Sequence, residues 1–486
     1  MTSRTLHQAA SDFKNTLSMN NPGEFDLVII GGGITGAGIF HLATAQGLKV
    51  LLLEQRDFAW GTSSRSSKMV HGGLRYLATG QWRLTRDAAQ ERERMIAQLP
   101  GLVEVMPYLM LHRKGEFPHP MLFSQVLNVY DKLAKCRHHR ALSITQAKDW
   151  LPFLNVDQIC GVSLFADATT DDARLVLRLL QDGVLAGGAA INYAQVNALM
   201  ESDGESTGVK VQFGDNPEQY EINAKVVINA AGAWAAKLHP LEQGVLRPLR
   251  GSHLVLPFER LPVPACISFF HPEDKRPVFI FPWEGCTVIG TTDLDHDVKL
   301  NQEPRINKKE VDYLLTICDR LFPHFQIKAN DVISCWSGVR PIFSTDPNLP
   351  PSKEKRDHLI WQKPGLISVS GGKLTTYNLM AQQVLDAAKQ QKADLFKQLT
   401  TAQFSQPEHN RYVDKRLHGH FGAFAEHIAD MSKKQEIGIS RYQWRELEWS
   451  LIHECVTHLD DLLLRRTRLG LLLGKSITQY KSLILA

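Results

Sequence analysis

The clearest hydrophobic pattern of the chain lies near its start, where two short apolar runs flank a stretch with helical character. The run that ends with Val28 to Ile30 and the run Val50 to Leu53 each predict a buried strand. Between them, a glycine-rich turn precedes a helix-like stretch that reaches Gln46, and Gly47 predicts the turn that follows. The pattern therefore predicts a βαβ unit.

Further along the chain, apolar and polar positions predict a second, sheet-rich region and a helical end. Alternating and β-branched runs separated by prolines, from Leu246 to about Asp331, are typical of strands, and residues 277–293 read as a hairpin. The last hundred residues are polar and helical in pattern. Other expected elements are helices over Trp82 to Leu99 and Asp171 to Gly188, and strands over Val209 to Phe213 and Glu221 to Asn229.

The turn of the βαβ unit carries the spacing Gly31-x-Gly33-x-x-Gly36, which is typical of dinucleotide binding. Such a turn needs a residue tolerant of positive φ, a backbone without a side chain beside the pyrophosphate, and close packing of helix on strand. Glu54, at the tip of the second strand, can accept hydrogen bonds from ribose hydroxyls and would repel a 2′-phosphate. The motif disfavours NADP but does not choose between FAD and NAD. A second strand that ends in glycine, at Gly232, favours FAD.

Composition narrows the class of protein. A chain of 486 residues predicts two or three domains, and a net charge of +4 argues against a nucleic-acid binder. The seven cysteines form no metal-like spacing, so we expect free thiols in a reducing compartment and no metal site. The first 24 residues lack the apolar core of a signal peptide, and no apolar run reaches 18 residues. We expect a cytoplasmic protein, with peripheral attachment to a membrane left open.

Several longer motifs, in consistent order from about Phe25 to Leu473, resemble the FAD-dependent glycerol-3-phosphate dehydrogenases of bacterial respiratory metabolism. The matching segments are GGGITGAGI with LLLEQ, TSSRSSKMVHGGLRYL, DDARLVL, GSHLVLP, EDKRPVFIFPW with VIGTTD, SGVRP, GGKLTTY and DDLLLRRTRLG. The resemblance implies the α/β class: a glutathione-reductase-like FAD-binding Rossmann domain, an antiparallel-sheet substrate domain and a C-terminal helical domain.

On this basis we expect an N-terminal extension over residues 1–24, an FAD-dependent oxidoreductase region over 25–385 and a C-terminal helical cap over 386–486. The expected FAD-binding parts are about 25–95, 160–235 and 333–385. The expected parts of the substrate domain are about 96–159 and 236–332. Between 397 and 441 the chain matches the family poorly, which leaves the shape of the cap open.

The resemblance also implies an activity and its partners. It implies oxidation of sn-glycerol 3-phosphate to dihydroxyacetone phosphate by hydride transfer from C2 to non-covalently bound FAD, with electrons passed to membrane quinone on the cytoplasmic face of the inner membrane. A homodimer is left open. Alternatives are a glycerol-3-phosphate oxidase that uses oxygen, an amine or amino-acid oxidase of the same fold, and an idle flavin-binding regulator.

A phosphorylated alcohol requires cations for its phosphate and a base for its hydroxyl proton. By resemblance, Arg75, Tyr76, Arg340 and Lys373 line the substrate pocket, and Arg340 and Lys373 are expected to act in catalysis. An imidazole suits proton abstraction near neutral pH, and both His253 and His71 are candidates. We prefer His253, and we expect His71 to contact the flavin.

The cofactor is expected to contact the dinucleotide turn and three further motifs. The remaining cofactor-binding residues implied by the family pattern are Thr62, Ser63, Ser64, Lys68, His71, Gly232, Gly371 and Gly372. The glycine pair precedes a predicted helix whose N-terminal amides favour a reduced, anionic flavin. Asp171 and Asp172 are interpreted as a helix cap and a first-turn acid rather than as an acid/base pair.

Two basic stretches are candidates for contact with a membrane surface. They are residues 135–140 (KCRHHR) and residues 461–475 (DLLLRRTRLGLLLGK). A basic, leucine-rich helix can lie on anionic lipid, although such a stretch is more often a packed core face with a charged edge.

Overall fold

The computed structural model describes residues 4–18, 23–77, 80, 82–135, 139–345, 354, 357–396, 402–406 and 413–485. Its helices are α1 Leu6–Ser18, α2 Ile34–Ala45, α3 Leu74–Leu77, α4 Trp82–Gln98, α5 Pro120–Ala134, α6 Ile144–Trp150, α7 Asp172–Leu185, α8 Ala235–Leu238, α9 Lys308–Leu321, α10 Tyr377–Gln391, α11 Lys415–Phe421, α12 Ala425–Asp430, α13 Trp444–His453, α14 Leu459–Asp461, α15 Leu469–Leu472 and α16 Lys481–Leu485. Its strands are β1 Glu24–Ile30, β2 Val50–Leu53, β3 Met69–Val70, β4 Val103–Arg113, β5 Arg140–Leu142, β6 Ile159–Thr170, β7 Ala189–Ile191, β8 Ala194–Ser202, β9 Glu205–Phe213, β10 Gln219–Asn229, β11 Val245–Pro257, β12 Cys266–Phe270, β13 Pro277–Trp283, β14 Cys286–Gly290, β15 Leu294–Asp295, β16 Ser334–Ser344, β17 His358–Lys363 and β18 Leu366–Gly371.

The first sheet has the order β17-β18-β10-β1-β2-β7, and β9 and β8 continue from β10. The five strands from β18 to β7 form four parallel pairs. Residues Leu27 to Ile29 and Leu51 to Leu53 are fully buried in this sheet, as expected for parallel strands covered on both faces. The predicted βαβ unit is therefore present, as β1, α2 and β2.

The second sheet has the order β15-β11-β14-β13-β12-β4-β6-β3, with β16 beside β11 and β5 beside β6. Its pairs are antiparallel except for β12 and β4. The predicted hairpin is β13 and β14, which pair from Phe279 opposite Gly290 to Trp283 opposite Cys286. Helix α9 packs on this sheet through Leu314 and Ile317, which are fully buried.

Two expected domain limits differ from the observed strands. β6 and β16 belong to the second sheet, although residues 160–235 and 333–385 were assigned to the FAD-binding part. β6 pairs with β4 along nearly its whole length, and β16 pairs with β11 from Val245 to Val255. β6 and β16 pair with strands far from them in sequence, and such pairing produces no pattern within a short stretch of residues. The hydrophobic pattern therefore could not show which sheet each strand joins.

The N-terminal segment contributes to the core of the first sheet. α1 buries Leu6, Ala9 and Phe13 against this core. The backbone N–H of Leu6 also donates to Oε1 of Gln181 in α7 at 3.1 Å. Residues 6–18 are therefore a packed helix, which their polar composition did not predict.

Residues 461–473 are packed inside the protein and only Lys475 of the stretch is exposed, so the interpretation as a packed core face is confirmed and the interpretation that the stretch lies on lipid is wrong. Leu462, Leu469 and Leu472 are at most 1 % exposed, and the side chains of Arg465, Arg466 and Arg468 are at most 4 % exposed. Arg465 and Arg466 pair with the buried carboxylate of Asp57, and Arg468 pairs with that of Asp171, so none of the three faces solvent. Of the other candidate stretch, residues 136–138 lie outside the described residues.

Candidate active site

A cavity of about 1100 Å³ lies between the two sheets. One wall is formed where β1, β10 and β18 end, by Ile30 with Gly31, by residues 230–232 and by residues 370–372. Ligands of open α/β sheets bind outside the carboxyl ends of parallel strands, and this wall has that position. The opposite wall comes from the second sheet. It includes Tyr108, Met110, Phe165, Asp167, Ser268, Phe279, Thr291 and Arg340.

The dinucleotide turn has the close backbone packing that its glycines predict. Gly31 has φ +112°, and a Cβ atom there would lie 2.5 Å from the carbonyl oxygen of Ala230. A Cβ atom on Gly36 would lie 1.9 Å from the carbonyl oxygen of Gly31. α2 begins at Ile34, directly after Gly33, so the N-terminus of the helix is at the cavity wall. A strand end, a bare glycine turn and a helix N-terminus in one wall form a cradle that fits the pyrophosphate of a dinucleotide such as FAD.

Glu54 follows β2 and lines the same cavity. Its Oε2 accepts from the backbone N–H of Gly32 at 2.7 Å, and its Oε1 accepts from the N–H of Arg56 at 2.9 Å. These bonds fix the carboxylate beside the dinucleotide turn. Its predicted contact with a ribose stays a prediction that fits this position.

The other predicted cofactor residues divide into two groups. Thr62, Ser63, His71, Gly232, Gly371 and Gly372 line the cavity. Ser64 and Lys68 are not in the described cavity wall: the Lys68 ammonium, which is fully buried, donates to the carbonyl of Ser64 at 2.6 Å and to Asp172 at 2.7 Å. The Lys68 side chain therefore points away from the cavity, toward Asp172, and lies behind the loop that forms the wall.

Gly371 and Gly372 form a turn that only glycine suits. Their φ angles are +85° and +78°, and a Cβ atom on Gly372 would lie 2.3 Å from Sδ of Met380. A 3₁₀ turn over Leu374–Thr376 follows and continues into α10. The predicted helix after the glycine pair is therefore present, and its first residues, Leu374 and Thr375, line the cavity.

Arg340, in β16, and Arg276, directly before β13, bring cationic side chains of the second sheet to the cavity. Nη1 of Arg340 lies 3.0 Å from Oδ1 of Asp293, and Nη2 donates to Oγ1 of Thr291 at 3.1 Å. Nη2 of Arg276 lies 3.0 Å from the other oxygen of Asp293, whose side chain is fully buried. Lys373 lines the same cavity. One carboxylate therefore holds two arginines at the wall, which leaves a net positive charge.

Arg276 and Asp293 are site residues that the sequence analysis missed. Both lie in segments quoted for the family resemblance, EDKRPVFIFPW and VIGTTD, but neither was singled out. The side chains of Arg75 and Tyr76 lie outside the described residues, although the backbone of both is in α3, directly after the cavity residues Gly73 and Leu74. Their predicted substrate contacts stay predictions.

His253 lies behind the cavity wall, not in it. Its ring is 1 % exposed, stacks on Trp336 with 4.7 Å between centroids, and its Nε2 lies 2.9 Å from Oγ of Ser67, which lines the cavity. Burial lowers the pKa of His253 well below its usual range, and the charges of Arg340 and Lys68 lower it further. The imidazole is therefore neutral near pH 7 and a weaker proton acceptor than an exposed histidine, and it reaches the cavity through the Ser67 hydroxyl. His71 lines the cavity directly.

The sequence profile of the family described as FAD dependent oxidoreductase matches residues 26–384. An aerobic glycerol-3-phosphate dehydrogenase of Bacillus subtilis (strain 168) is 35% identical over 372 residues, which cover 75% of this chain and 67% of that protein. Another, of Staphylococcus haemolyticus (strain JCSC1435), is 31% identical over 500 residues, with 95% and 90% covered. The chain belongs to the family of FAD-dependent glycerol-3-phosphate dehydrogenases.

A solved structure of a glycerol-3-phosphate dehydrogenase from Bacillus halodurans, complexed with FAD, agrees with this assignment. It superimposes with a TM-score of 0.77 at 28% identity and covers 98% of this chain and 92% of that chain. Membership of this family confirms three predictions: an α/β fold with a C-terminal helical region, FAD as the cofactor, and an FAD-dependent oxidoreductase activity.

Proposed function

We propose that this chain oxidises sn-glycerol 3-phosphate to dihydroxyacetone phosphate and passes the electrons to a membrane quinone. The substrate follows the names of the relatives, and one observation supports it in this chain. The cavity with the dinucleotide turn in one wall has Arg340, Arg276 and Lys373 in its wall as well. A phosphate with close to two negative charges needs several cations, whereas an amino-acid carboxylate needs fewer.

In this proposal, Arg340 and Lys373 bind the phosphate and favour the alkoxide that forms at C2. Arginine suits this task because its planar guanidinium can donate two parallel hydrogen bonds to phosphate oxygens. Asp293 and Thr291 hold the guanidinium of Arg340 at the wall, so little rotamer freedom is lost when substrate binds. Arg75 and Tyr76, at the start of α3, are proposed as further substrate contacts.

FAD, when bound, supplies the hydride acceptor for C2. The chain must hold C2 of the substrate in the orientation that hydride transfer to the flavin requires. It must also remove the proton of the C2 hydroxyl. We assign proton removal to the pair Ser67 and His253: the hydroxyl at the wall passes the proton to the imidazole behind it. The N-terminal amides of the helical segment after Lys373 favour negative charge at this end of the cavity.

The proton acceptor can be tested with the variants His253→Asn, Ser67→Ala and His71→Asn. We expect His253→Asn to slow flavin reduction about thirtyfold, less than for a base in direct contact, with little change in substrate Kd. Stopped-flow measurement of reduction under nitrogen gives the rate and the Kd separately. Ser67→Ala should have a similar effect, and the double variant should be no slower. If only His71→Asn slows reduction, His71 is the base and the relay is wrong.

An apolar rim supports quinone as the electron acceptor. Phe117 and Leu122 line the cavity and are 70% and 54% exposed, and Met121 beside them is 75% exposed. Large exposed apolar side chains at a cavity mouth suit a partner that is itself apolar. No helix in the described part of the chain is long and apolar enough to cross a membrane. We therefore propose peripheral attachment on the cytoplasmic face of the inner membrane, with this rim toward the lipid.

The proposal is tested by adding glycerol 3-phosphate to the purified holoprotein without oxygen. We expect the visible flavin bands to bleach, since hydride transfer to FAD removes its oxidised absorption. Glycine and proline serve as control substrates. Bleaching by one of these amino acids, but not by glycerol 3-phosphate, would favour an amine or amino-acid oxidase. No bleaching by any of them contradicts the proposed activity.

The electron acceptor is tested by mixing the reduced protein either with a soluble quinone analogue or with air-saturated buffer. Rapid reoxidation by the quinone with slow reoxidation by air is the expected result. Rapid reoxidation by air with peroxide formed in equal amount would identify a glycerol-3-phosphate oxidase instead.

A further inference from the structure

A buried group of four charges connects the C-terminal region to the loop that faces the cofactor cavity. Its members are Lys68, Asp171, Asp172 and Arg468, and the side chain of each is at most 1 % exposed. Two cations and two carboxylates make the group neutral, which is the condition under which buried charges are tolerated. The family resemblance implies a cofactor contact for Lys68 alone, and neither it nor the proposed chemistry gives the four charges a joint role.

The loop in question, called here the cavity loop, is residues 62–69. It has a side that faces the cavity and a side that faces the charges. Six of its residues line the cavity: Thr62, Ser63, Arg65, Ser66, Ser67 and Met69. The back of the loop presents the carbonyl of Ser64, the N–H of Ser66 and the side chain of Lys68 to the buried group.

Asp172 is the contact that fixes the middle of the cavity loop. Its Oδ2 accepts from the N–H of Ser66 at 2.9 Å and from the Ser66 hydroxyl at 2.6 Å. Its Oδ1 accepts from the Lys68 ammonium at 2.7 Å. Lys68 has φ +60°, a strained value for a residue with a side chain, so the loop needs such contacts to keep its course.

Arg468, 296 residues after Asp172 in the chain, completes this arrangement. Its Nη2 donates to both aspartates, at 2.6 Å to Asp171, and its Nε donates to Asp171 at 3.0 Å. Its Nη1 donates to the carbonyl of Ser64 at 3.3 Å, so Arg468 also touches the cavity loop itself. Arg468 holds the pKa of Asp171 well below its usual range even though burial opposes ionisation.

We infer that Arg468 is a positioning residue for the cofactor: through Asp172 and Ser64 it fixes the cavity loop in the shape that binds FAD. Without Arg468, two buried carboxylates face one ammonium, and the uncompensated charge favours a loop that opens to water. The C-terminal region is then required for flavin binding although it contributes no residue to the described cavity wall. The inference depends on FAD as the cofactor and is independent of the substrate.

Arg178 provides a matched control. It is a buried arginine of α7 that joins the same helix to the C-terminal region, with Nε 3.1 Å from Asp182 and Nη1 donating to the carbonyls of His418 and Gly419 at 3.1 Å. It makes no described contact with the cavity loop. Arg178→Met should therefore loosen the same interface without moving the loop.

The test measures FAD affinity and stability separately. Apoprotein of each variant is titrated with FAD while flavin fluorescence is followed, and the thermal unfolding of the apoproteins is recorded. We expect Arg468→Met to raise the FAD Kd about tenfold or more, as for a lost hydrogen-bonded charge, and Arg178→Met to leave it near the wild-type value. Equal FAD affinity in the two variants, at similar losses of Tm, overturns the inference.

Two further variants keep the test decisive if Arg468→Met does not fold. Arg468→Lys retains the charge but not the fork that reaches both aspartates and Ser64, so an intermediate FAD Kd is expected, and a wild-type Kd overturns the inference. Ser66→Ala removes two hydrogen bonds at the back of the loop: the hydroxyl donates to Asp172 at 2.6 Å and accepts from the N–H of Lys68 at 3.0 Å. If Ser66 acts with Arg468, the double variant Ser66→Ala with Arg468→Lys should raise the FAD Kd by less than the product of the two single effects. If Ser66 contacts FAD directly instead, the two effects on the Kd should multiply.

Discussion

Replacement of Arg340 by methionine is expected to lower kcat/KM for glycerol 3-phosphate about a thousandfold, because Asp293, whose side chain is fully buried, loses a hydrogen-bonded cationic partner at the substrate site. The guanidinium is fixed by Asp293 and Thr291 at the cavity wall, where the phosphate and the developing alkoxide need positive charge. Its loss also removes one of the two arginines that pair with Asp293. Steady-state kinetics, with Kd from flavin difference spectra, measure the effect.

The control for Arg340 is Arg260→Met. Arg260 makes a similar pair with Asp331, with Nε 2.7 Å from Oδ1 and Nη2 3.1 Å from Oδ2, but it is not in the described cavity wall. We expect kcat/KM to stay within about twofold of wild type, because a half-buried ion pair outside the cavity wall contributes little to stability and nothing to the site. Arg340→Lys should recover part of the activity. Activity in Arg340→Met close to that of Arg260→Met would remove Arg340 from the substrate site.

The elements that the sequence predicted well are those whose signal is local. β2 has the predicted limits, Val50 to Leu53, and α7 begins at Asp172 with Asp171 as its N-cap, accepting from the N–H of Arg174 at 3.1 Å. The hydrophobic period, the glycine spacing and the capping residue all lie within a few positions of these elements. The two aspartates have a second role that no local pattern contains, because their partner Arg468 is 296 positions from Asp172.

The candidate site was predicted as a set of motifs, and the structure adds how they are arranged. Arg340 and Lys373 were chosen because they lie in family motifs, and the fold brings both to one cavity. Arg276 was missed because a single arginine directly before a strand is usually a surface charge, and only the tertiary contact with Asp293 distinguishes it. The depth of His253, one hydroxyl behind the wall, depends on how the cavity loop packs on β11 and β16. The sequence gives no measure of that depth.

Replacement of Gly36 by alanine is expected to yield a protein that folds but does not retain FAD. The new Cβ would lie 1.9 Å from the carbonyl oxygen of Gly31, a backbone atom that cannot rotate away. The Gly31 turn cannot shift to relieve the clash, since it packs on Ala230 in turn, so α2 must move away from β1 and carry its N-terminal amides off the pyrophosphate site. Overpacking of this kind costs about 1–3 kcal/mol, which corresponds to about a hundredfold in FAD Kd at its upper end.

The absorption spectrum of the purified variant and fluorescence titration of its apoprotein with FAD measure this effect. Gly204→Ala is the matched control: Gly204 has φ +80° in the turn between β8 and β9, and nothing lies within 4 Å of its added Cβ atom. Its alanine variant should lose about 1 kcal/mol of stability from the strained backbone and keep its flavin. If Gly36→Ala retained FAD as firmly as Gly204→Ala, the glycine turn would serve only the packing of α2 on β1, and the pyrophosphate would have to bind elsewhere in the cavity.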